Sequence, residues 1–527
     1  MRYNDLDKTA AFGKLTEHAK TRKGFDFGRE LDGGRVAGCG VPMAAGLRFN
    51  WAAKAVDDGA LKLLQELADE QELVGKYRWL LSGGMANVGE KRKVLHQLLR
   101  GELEGPVLEN GRNIGDFYRS QLARLGEFAA AVHEGKVRGS TGKAFSTVVQ
   151  IGIGGSDLGP RAMYMALENW AAKAGTHRLA AKFISNVDPD DAAAVLASVP
   201  PESTLFVLVS KSGTTQETLA NEMFVKERLD KAGLDSSKHL VAVTSETSPL
   251  AGNPAYLDSF YIDDYIGGRY SSCSAVGGCV LSLAFGAETF TRFLAGAAEA
   301  DRLALEPNIL KNAALLDAML GIWERNFLGF PATAVLPYSQ ALSRFPAHLQ
   351  QLDMESNGKR VNLRGEPVAY PTGPAIFGEP GTNGQHSFFQ LLHQGTDIVP
   401  LQFIGFAESQ LGEDVQVEGS PSQAKLNANL AAQIVAFAKG RRDGTDGNKD
   451  FPGGRPSGLI HGKRLTPEAL GCLLAHFENK VMFQGFAWNL NSFDQEGVQL
   501  GKVLTKKALS GNSGDSALDG YIRLLGM

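Results

Sequence analysis

Cysteine is scarce in this chain: four residues, at 39, 273, 279 and 472, among 527. None forms a CxxC pair, so neither a disulfide framework nor a zinc knuckle is expected, and the thiols read as buried or idle. The ten histidines are scattered and no HExxH occurs. His386 and His393 lie seven apart and would share a face of a helix, but no third ligand accompanies them, so no metal site is expected. No uninterrupted run of eighteen apolar residues occurs, which argues against a helix that crosses a bilayer. The opening MRYNDLDKTAAFGKL mixes both charge signs without an apolar segment, unlike a secretory signal. Lys and Arg number 54 against 58 Asp and Glu, a net −4, so there is no basic field to draw in nucleic acid. What is present, 43% hydrophobic and 21% charged residues, is a globular balance. The expectation is a soluble, cytoplasmic, globular protein, of three domains at roughly 150 residues each or of two large ones.

The first 120 residues read as mostly helical, with apolar spacings of three and four over Ala60–Leu73 and Lys91–Leu99. From about residue 145 short β-branched runs recur: Thr147–Ile153, Lys182–Ser185, Thr204–Val209 and Leu240–Thr244. Each leads into a glycine, serine or threonine turn or a helical stretch, which predicts βαβ units and a parallel sheet. A second series has Ala332–Leu336 and Val399–Phe406 as strand candidates, so two α/β halves are expected. The polar, glycine-rich stretch between 439 and 465 reads as a surface loop. Thr466, Pro467 and Glu468 then mark a helix start, and Leu470, Leu473, Leu474, Phe477 and Val481 would form one apolar stripe.

Two loops point to an anion. VVQIGIGGSDLGP (148–160) runs from a strand into a glycine turn and resembles GxGxxG, but the third glycine position is Asp157. A carboxylate beside a pyrophosphate has the wrong sign, so the dinucleotide reading weakens. Exposed backbone N–H groups and the hydroxyl of Ser156 remain. TLFVLVSKSGTTQETLAN (204–221) places Ser210, Ser212, Thr214, Thr215 and Lys211 between a buried strand and a helix. Helix N-termini hold anions through orphan N–H groups and the helix dipole. Without GxxxxGK[ST], this donor cluster suits a monophosphate rather than a triphosphate with its magnesium.

Four further segments are dense in polar groups. QLDMESNGKR (351–360) carries Glu355, and GEPGTNGQHSFFQLLHQG (378–395) runs from a loop into a helix with His386 at its start. FAWNLNSFDQEGVQLGK (486–502) ends in Lys502, and DYIGGRYSSCSAVGG (264–278) holds Arg269 after two glycines. Each alone could be a surface or structural residue. Together with a phosphate loop, a carboxylate, a histidine, a lysine and an arginine suit proton transfer beside a carbonyl, with a cation at the developing oxyanion.

These segments, in order, resemble the glucose-6-phosphate isomerase family, of the two-domain sugar-isomerase type, over roughly residues 45–505. The resemblance implies an α/β fold of two domains, each a parallel or mostly parallel sheet flanked by helices. The smaller would span 120–283 and the larger 1–119 plus 284–505, with a tail at 506–527 whose Tyr521–Leu525 stretch docks on a neighbouring surface. It implies Glu355 as the base between C1 and C2, His386 with Lys502 as ring openers, and Arg269 as the stabiliser of the cis-enediolate. Gly155, Ser156, Ser210, Lys211, Ser212, Thr214 and Thr215 would surround the phosphate, with Gln351 and Gln495 also contacting substrate. No cofactor is implied. A homodimer is, with His386 reaching the neighbouring subunit's site.

The chain departs from the family pattern at Glu496, where an aromatic residue is usual, and at Gln499, where glutamate is usual. Its phosphate loop reads Ser-Lys-Ser-Gly where many members have Ser-Lys-Thr-Phe; a serine keeps the hydroxyl donor. Two alternatives stand beside catalysis on glucose 6-phosphate. One is a non-catalytic sugar-phosphate sensor on the same fold, which would not need Glu355, His386 and Lys502 together. The other is an isomerase that also accepts mannose 6-phosphate.

Overall fold

A computed structural model describes residues 1–21, 25–511 and 513–527. Two sheets organise the chain. Their strands, in chain order, are β1 (Gly40–Pro42), β2 (Arg48–Asn50), β3 (Thr147–Ile151), β4 (Ala180–Ile184), β5 (Thr204–Val209), β6 (Leu240–Thr244), β7 (Ser259–Tyr261), β8 (Ala332–Tyr338), β9 (Ala375–Phe377), β10 (Leu401–Phe406) and β11 (Ser457–Gly462). The six β-branched runs read from the sequence are all strands, with ends shifted by at most two residues.

The first sheet has the order β4-β3-β5-β6-β7 and is parallel throughout. Every residue of β3, β5 and β6 is buried, as continuous apolar runs must be when helices cover both faces. The chain runs outward from β3 to β4, then crosses back to place β5 on the other side of β3. That reversal leaves a crevice at the carboxyl ends of β3 and β5, where open α/β sheets bind ligands.

The second sheet has the order β1-β2-β11-β10-β8-β9 and is mixed: β8, β9, β10 and β11 run parallel, whereas β1 and β2 are antiparallel to their neighbours. Here the expected surface loop over 439–465 is corrected, because β11 lies inside it and pairs with β10 and β2. SGLIHG lacks a strand signature, since its glycines serve close packing. A Cβ on Gly458 would stand 2.9 Å from the Phe49 ring, and one on Gly462 2.4 Å from Leu47.

Two helical expectations also change. Only His96–Leu99 of the Lys91–Leu99 stretch is helical, a single 3₁₀ turn. Lys91 has φ +53°, and Asn87 and Arg92 exchange backbone hydrogen bonds across a tight turn there. The helix Pro467–Ala487 is capped as predicted, Ala469 N–H donating to Thr466 Oγ1 at 3.2 Å. It is not striped, however: nearly every residue is buried, against the helices Ala287–Leu303 and Ala313–Ile322 among others. Its polar residues are therefore internal and paired, as in His476 with Asp317 and Glu478 with Arg100.

The chain ends in two helices, Gln499–Leu509 and Ser516–Leu524, that bury no residue. Tyr521, Leu524 and Leu525 are exposed, Leu524 by 82%, so the expected docking of Tyr521–Leu525 is not made on this chain's own surface. Among the described residues no helix is long and apolar enough to cross a membrane.

Candidate active site

The loop after β3 turns through Gly154, at φ +60°, into a 3₁₀ turn, Gly154–Ser156, and then the helix Leu158–Ala174. Gly155 is required by packing: a Cβ there would lie 2.2 Å from the backbone carbonyl of Gly268. The turn that carries Arg269 thereby presses directly on this loop. Asp157 is buried and held by Arg161 at 2.7 Å; burial pushes its carboxyl upward, and the guanidinium opposes that rise. Its charge is committed inside the fold rather than to a ligand.

The loop after β5 gathers the hydroxyls. Ser210 Oγ accepts from Gly213 N–H at 3.1 Å and donates to Thr215 Oγ1 at 3.4 Å. Ser212 Oγ accepts from the N–H and hydroxyl of Thr214, at 3.2 and 3.0 Å. Thr215 occupies the N-cap of the helix Gln216–Lys231, yet its side chain does not cap the helix. Gly213 sits at φ +67°, and a Cβ would reach Ser248 Oγ at 2.3 Å, so the bulk usual elsewhere at this position has no room here. Lys211 donates to the Ile266 carbonyl at 3.2 Å and lies 3.7 Å from Asp264. Burial pulls its ammonium below the usual lysine range, with Asp264 opposing.

Facing these loops from the second sheet is a π-helical turn, Gln350–Glu355, that extends the helix Phe345–Leu349. Wider turns of this kind cluster at functional sites, and here the spacing of four puts Gln351 and Glu355 on one side. Gln351 Nε2 would stand 3.4 Å from a Cβ on Gly154, and Gln351 Oε1 is buried without a hydrogen-bond partner. Arg269 is 2% exposed. Its Nη1 reaches Glu355 Oε2 at 3.2 Å, its Nε donates to Ser356 Oγ at 2.7 Å, and its Nη2 donates to the carbonyls of Ser492 and Asp494 at 2.6 and 3.0 Å. The guanidinium plane is fixed on three edges, while Glu355 keeps part of its surface open.

The remaining expected residues sit at the margin. Gln495 Oε1 lies 3.5 Å from Arg269 Nη1. His386 ends a 3₁₀ turn, Asn383–His386, rather than starting a helix, and it is exposed. His393 belongs to the separate helix Phe389–Gln394, stacks on Phe437 at 3.7 Å between centroids and bonds Gln433, so the two histidines do not share a helix face. Lys502, in the helix Gln499–Leu509, is exposed. Among the described residues the side chains of His386 and Lys502 make no hydrogen bond or ion pair within the chain. Glu496 and Gln499 are exposed as well. The structure thus brings Glu355, Arg269 and Gln495 together, with Gln351 beside the β3 loop, while His386 and Lys502 are exposed.

Several contributors escaped the sequence reading. Ser356 accepts from Arg269 and hydrogen-bonds the Tyr270 hydroxyl at 2.8 Å. Lys359 pairs with Asp494 at 2.5 Å and donates to the Asn491 carbonyl, tying the segment after Glu355 to the backbone that receives Arg269. Burial draws the Lys359 pKa down, and Asp494 counters it. All lie within the same polar-dense segments, but which side chains supply scaffolding could not be read from type alone. Among the described residues no three His, Cys, Asp or Glu side chains are grouped to hold a metal ion.

Comparison with known proteins accords with this geometry. The phosphoglucose isomerase family model matches residues 50–521. A glucose-6-phosphate isomerase of Treponema denticola is 63% identical over 515 residues, 97% of each chain. One from Borreliella burgdorferi is 47% identical over 479 residues, 90% of each. The crystal structure of a glucose-6-phosphate isomerase from Chlamydia trachomatis superposes with a TM-score of 0.92 at 43% identity, covering 99% of both chains. With its carboxylate and guanidinium facing a hydroxyl-rich loop at a strand crossover, the chain belongs to the phosphoglucose isomerase family.

Proposed function

We propose that this site interconverts glucose 6-phosphate and fructose 6-phosphate by proton transfer through a cis-enediolate. The observation that carries the reading is the partly open Glu355 carboxylate held 3.2 Å from a buried, immobilised Arg269, opposite a loop of hydroxyl donors. The phosphate would be received by Ser210, Ser212, Thr214, Thr215, the backbone around Gly155 and Ser156, and the Lys211 ammonium; donors at a helix N-terminus suit a compact dianion. Gln351 and Gln495 would contact the sugar between phosphate and carbonyl. Glu355 takes the proton from C2 of the aldose and returns it to C1, and Arg269 stabilises the oxygen on which charge develops. C1 and C2 exchange oxidation level within one molecule, so the redox balance closes without an external oxidant, and the proton held on Glu355 can exchange with solvent during the transfer.

Ring opening falls to His386 and Lys502 in this reading. Their exposure on a single chain supports a homodimer in which His386 completes the neighbouring subunit's site. The division into a smaller domain at 120–283, a larger one at 1–119 plus 284–505 and a tail at 506–527, and residence in the cytoplasm, belong to the same proposal.

The test is NMR of the purified protein with fructose 6-phosphate in D2O. Glucose 6-phosphate carrying deuterium at C2 is the expected product. Binding of the sugar phosphate without conversion would overturn the catalytic reading in favour of a sensor. Parallel incubation with mannose 6-phosphate measures whether the C2 epimer is also turned over.

A further inference from the structure

The π-turn also lines a small pocket of about 30 Å³ to which Arg269 does not contribute. Asp353 of the turn projects into it and is 6% exposed. The opposite walls are Gln402 of β10, Lys480 and Gln484 of the helix Pro467–Ala487, Lys54 after β2, and Glu324 with Arg325 beyond the helix Ala313–Ile322. Lys54 and Glu324 pair with each other at 2.9 Å, and Lys480 pairs with Asp317 at 3.1 Å. Asp353 Oδ1, Gln402 Oε1 and Gln484 Oε1 are all buried without a hydrogen-bond partner. Burial pushes the Asp353 carboxyl up to about 7, against the pull of Lys480 and with the push of Asp317.

Three acceptors from three elements thus line one small pocket whose other walls are largely apolar, among them Leu349, Leu352, Ile376 and Phe477. A buried acceptor without a partner is destabilising, and a cavity above about 15 Å³ admits a water molecule that can satisfy several at once. The neighbours of Asp353 are each fixed elsewhere. Met354 Sδ accepts from Ile376 N–H, Ser356 holds Arg269, and Asn357 donates to the Val481 carbonyl. Within the turn, Asp353 lines this pocket, whereas Gln351 lies beside Gly154 and Glu355 beside Arg269.

We propose that Asp353 is a positioning residue for Glu355: through water shared with Gln402, Gln484 and Lys480, its carboxyl anchors the π-turn to the sheet and to the helix Pro467–Ala487, and so sets where the Glu355 carboxylate stands. Asp353 touches no substrate. The inference rests on the isomerase reading, because a sensor would have no need to hold Glu355 to within a fraction of an ångström. A displacement of about 1 Å at a reacting group can cost 10²-fold in rate.

The experiment compares wild-type protein with Asp353→Asn and Asp353→Leu, measuring kcat and KM for fructose 6-phosphate and the thermal midpoint. The expected result is a fall in kcat of at least tenfold in both variants with KM within twofold, while the leucine variant keeps or raises the midpoint. A merely structural residue would lose stability and leave kcat of the folded fraction unchanged, so kcat within twofold of wild type in both overturns the assignment. If neither variant folds, Gln484→Met, which enters the cavity from the opposite wall, takes their place. It should lower kcat about fivefold at constant KM, and unchanged kcat overturns the proposal. Wild-type protein without isomerase activity in the same assay would instead overturn the proposed function.

Discussion

Arg269 and Glu355 stand 3.2 Å apart although 86 positions separate them and they extend from different sheets. Arg269 is held by a turn that abuts the β3 loop, Glu355 by a turn behind β8 and β9. Any change that moves one sheet against the other therefore registers at this pair.

Arg269→Lys should lower kcat by about 10²–10³-fold, the range for losing one oxyanion donor. Lysine keeps the charge but cannot reach Ser356, Ser492, Asp494 and Glu355 together. The loss should fall on kcat more than on KM. A decrease under tenfold in steady-state assays would mean that charge alone suffices.

Gly155→Ala should damage both stability and activity. Its Cβ would lie 2.2 Å from the Gly268 carbonyl, so the β3 loop and the Arg269 turn must separate. Overpacking of this kind costs about 1–3 kcal/mol, and the moved turn carries the guanidinium. Calorimetry and kcat measured on one preparation should fall together, whereas Gly142→Ala, with open space around it but φ +79°, should affect stability alone.

Complementation tests the homodimer. Glu355→Gln and His386→Ala should each be nearly inactive, Glu355→Gln by more than tenfold. Mixed after dissociation and reassociation, they would form heterodimers with one intact site, because the histidine would come from the other chain. Recovery towards a quarter of wild-type activity is expected, from half the dimers carrying half their sites. No recovery would place His386 in its own subunit's site.

Stability should fall as pH rises from 5 to 8. Asp353 holds its proton in the native state up to about 7, whereas an unfolded aspartate releases it near its ordinary value of about 4. Between those limits the native state binds more protons, so its advantage is present at low pH and lost as pH rises through the native value. Asp353→Asn should flatten this part of the thermal-midpoint profile. An equally steep profile in the variant would assign the dependence to other buried acids.

Much of the parallel sheet was legible because continuous β-branched runs such as Thr204–Val209 and Leu240–Thr244 have few stable alternatives to a strand buried on both faces. β11 was not legible. Its glycines signal a loop to any local reading, and only the closeness of Phe49 and Leu47 shows why they are needed. The same holds for the helix Pro467–Ala487, whose start could be read from Thr466 and Pro467 but whose charged residues could be placed inside only once their partners on distant helices were known.

By itself the amino-acid sequence determined the residue types that the chemistry needs and the order of the segments that carry them: hydroxyls after one strand, Arg269 after two glycines, Glu355 amid polar neighbours. These are local properties of side chains and turns. Tertiary structure alone decided which of them meet, that Asp157 is spent on Arg161, that Asp353 lines a buried pocket, and that His386 and Lys502 are exposed on a single chain. Contacts between residues far apart in sequence depend on how two sheets and a buried helix pack, and packing is a property of the whole chain at once.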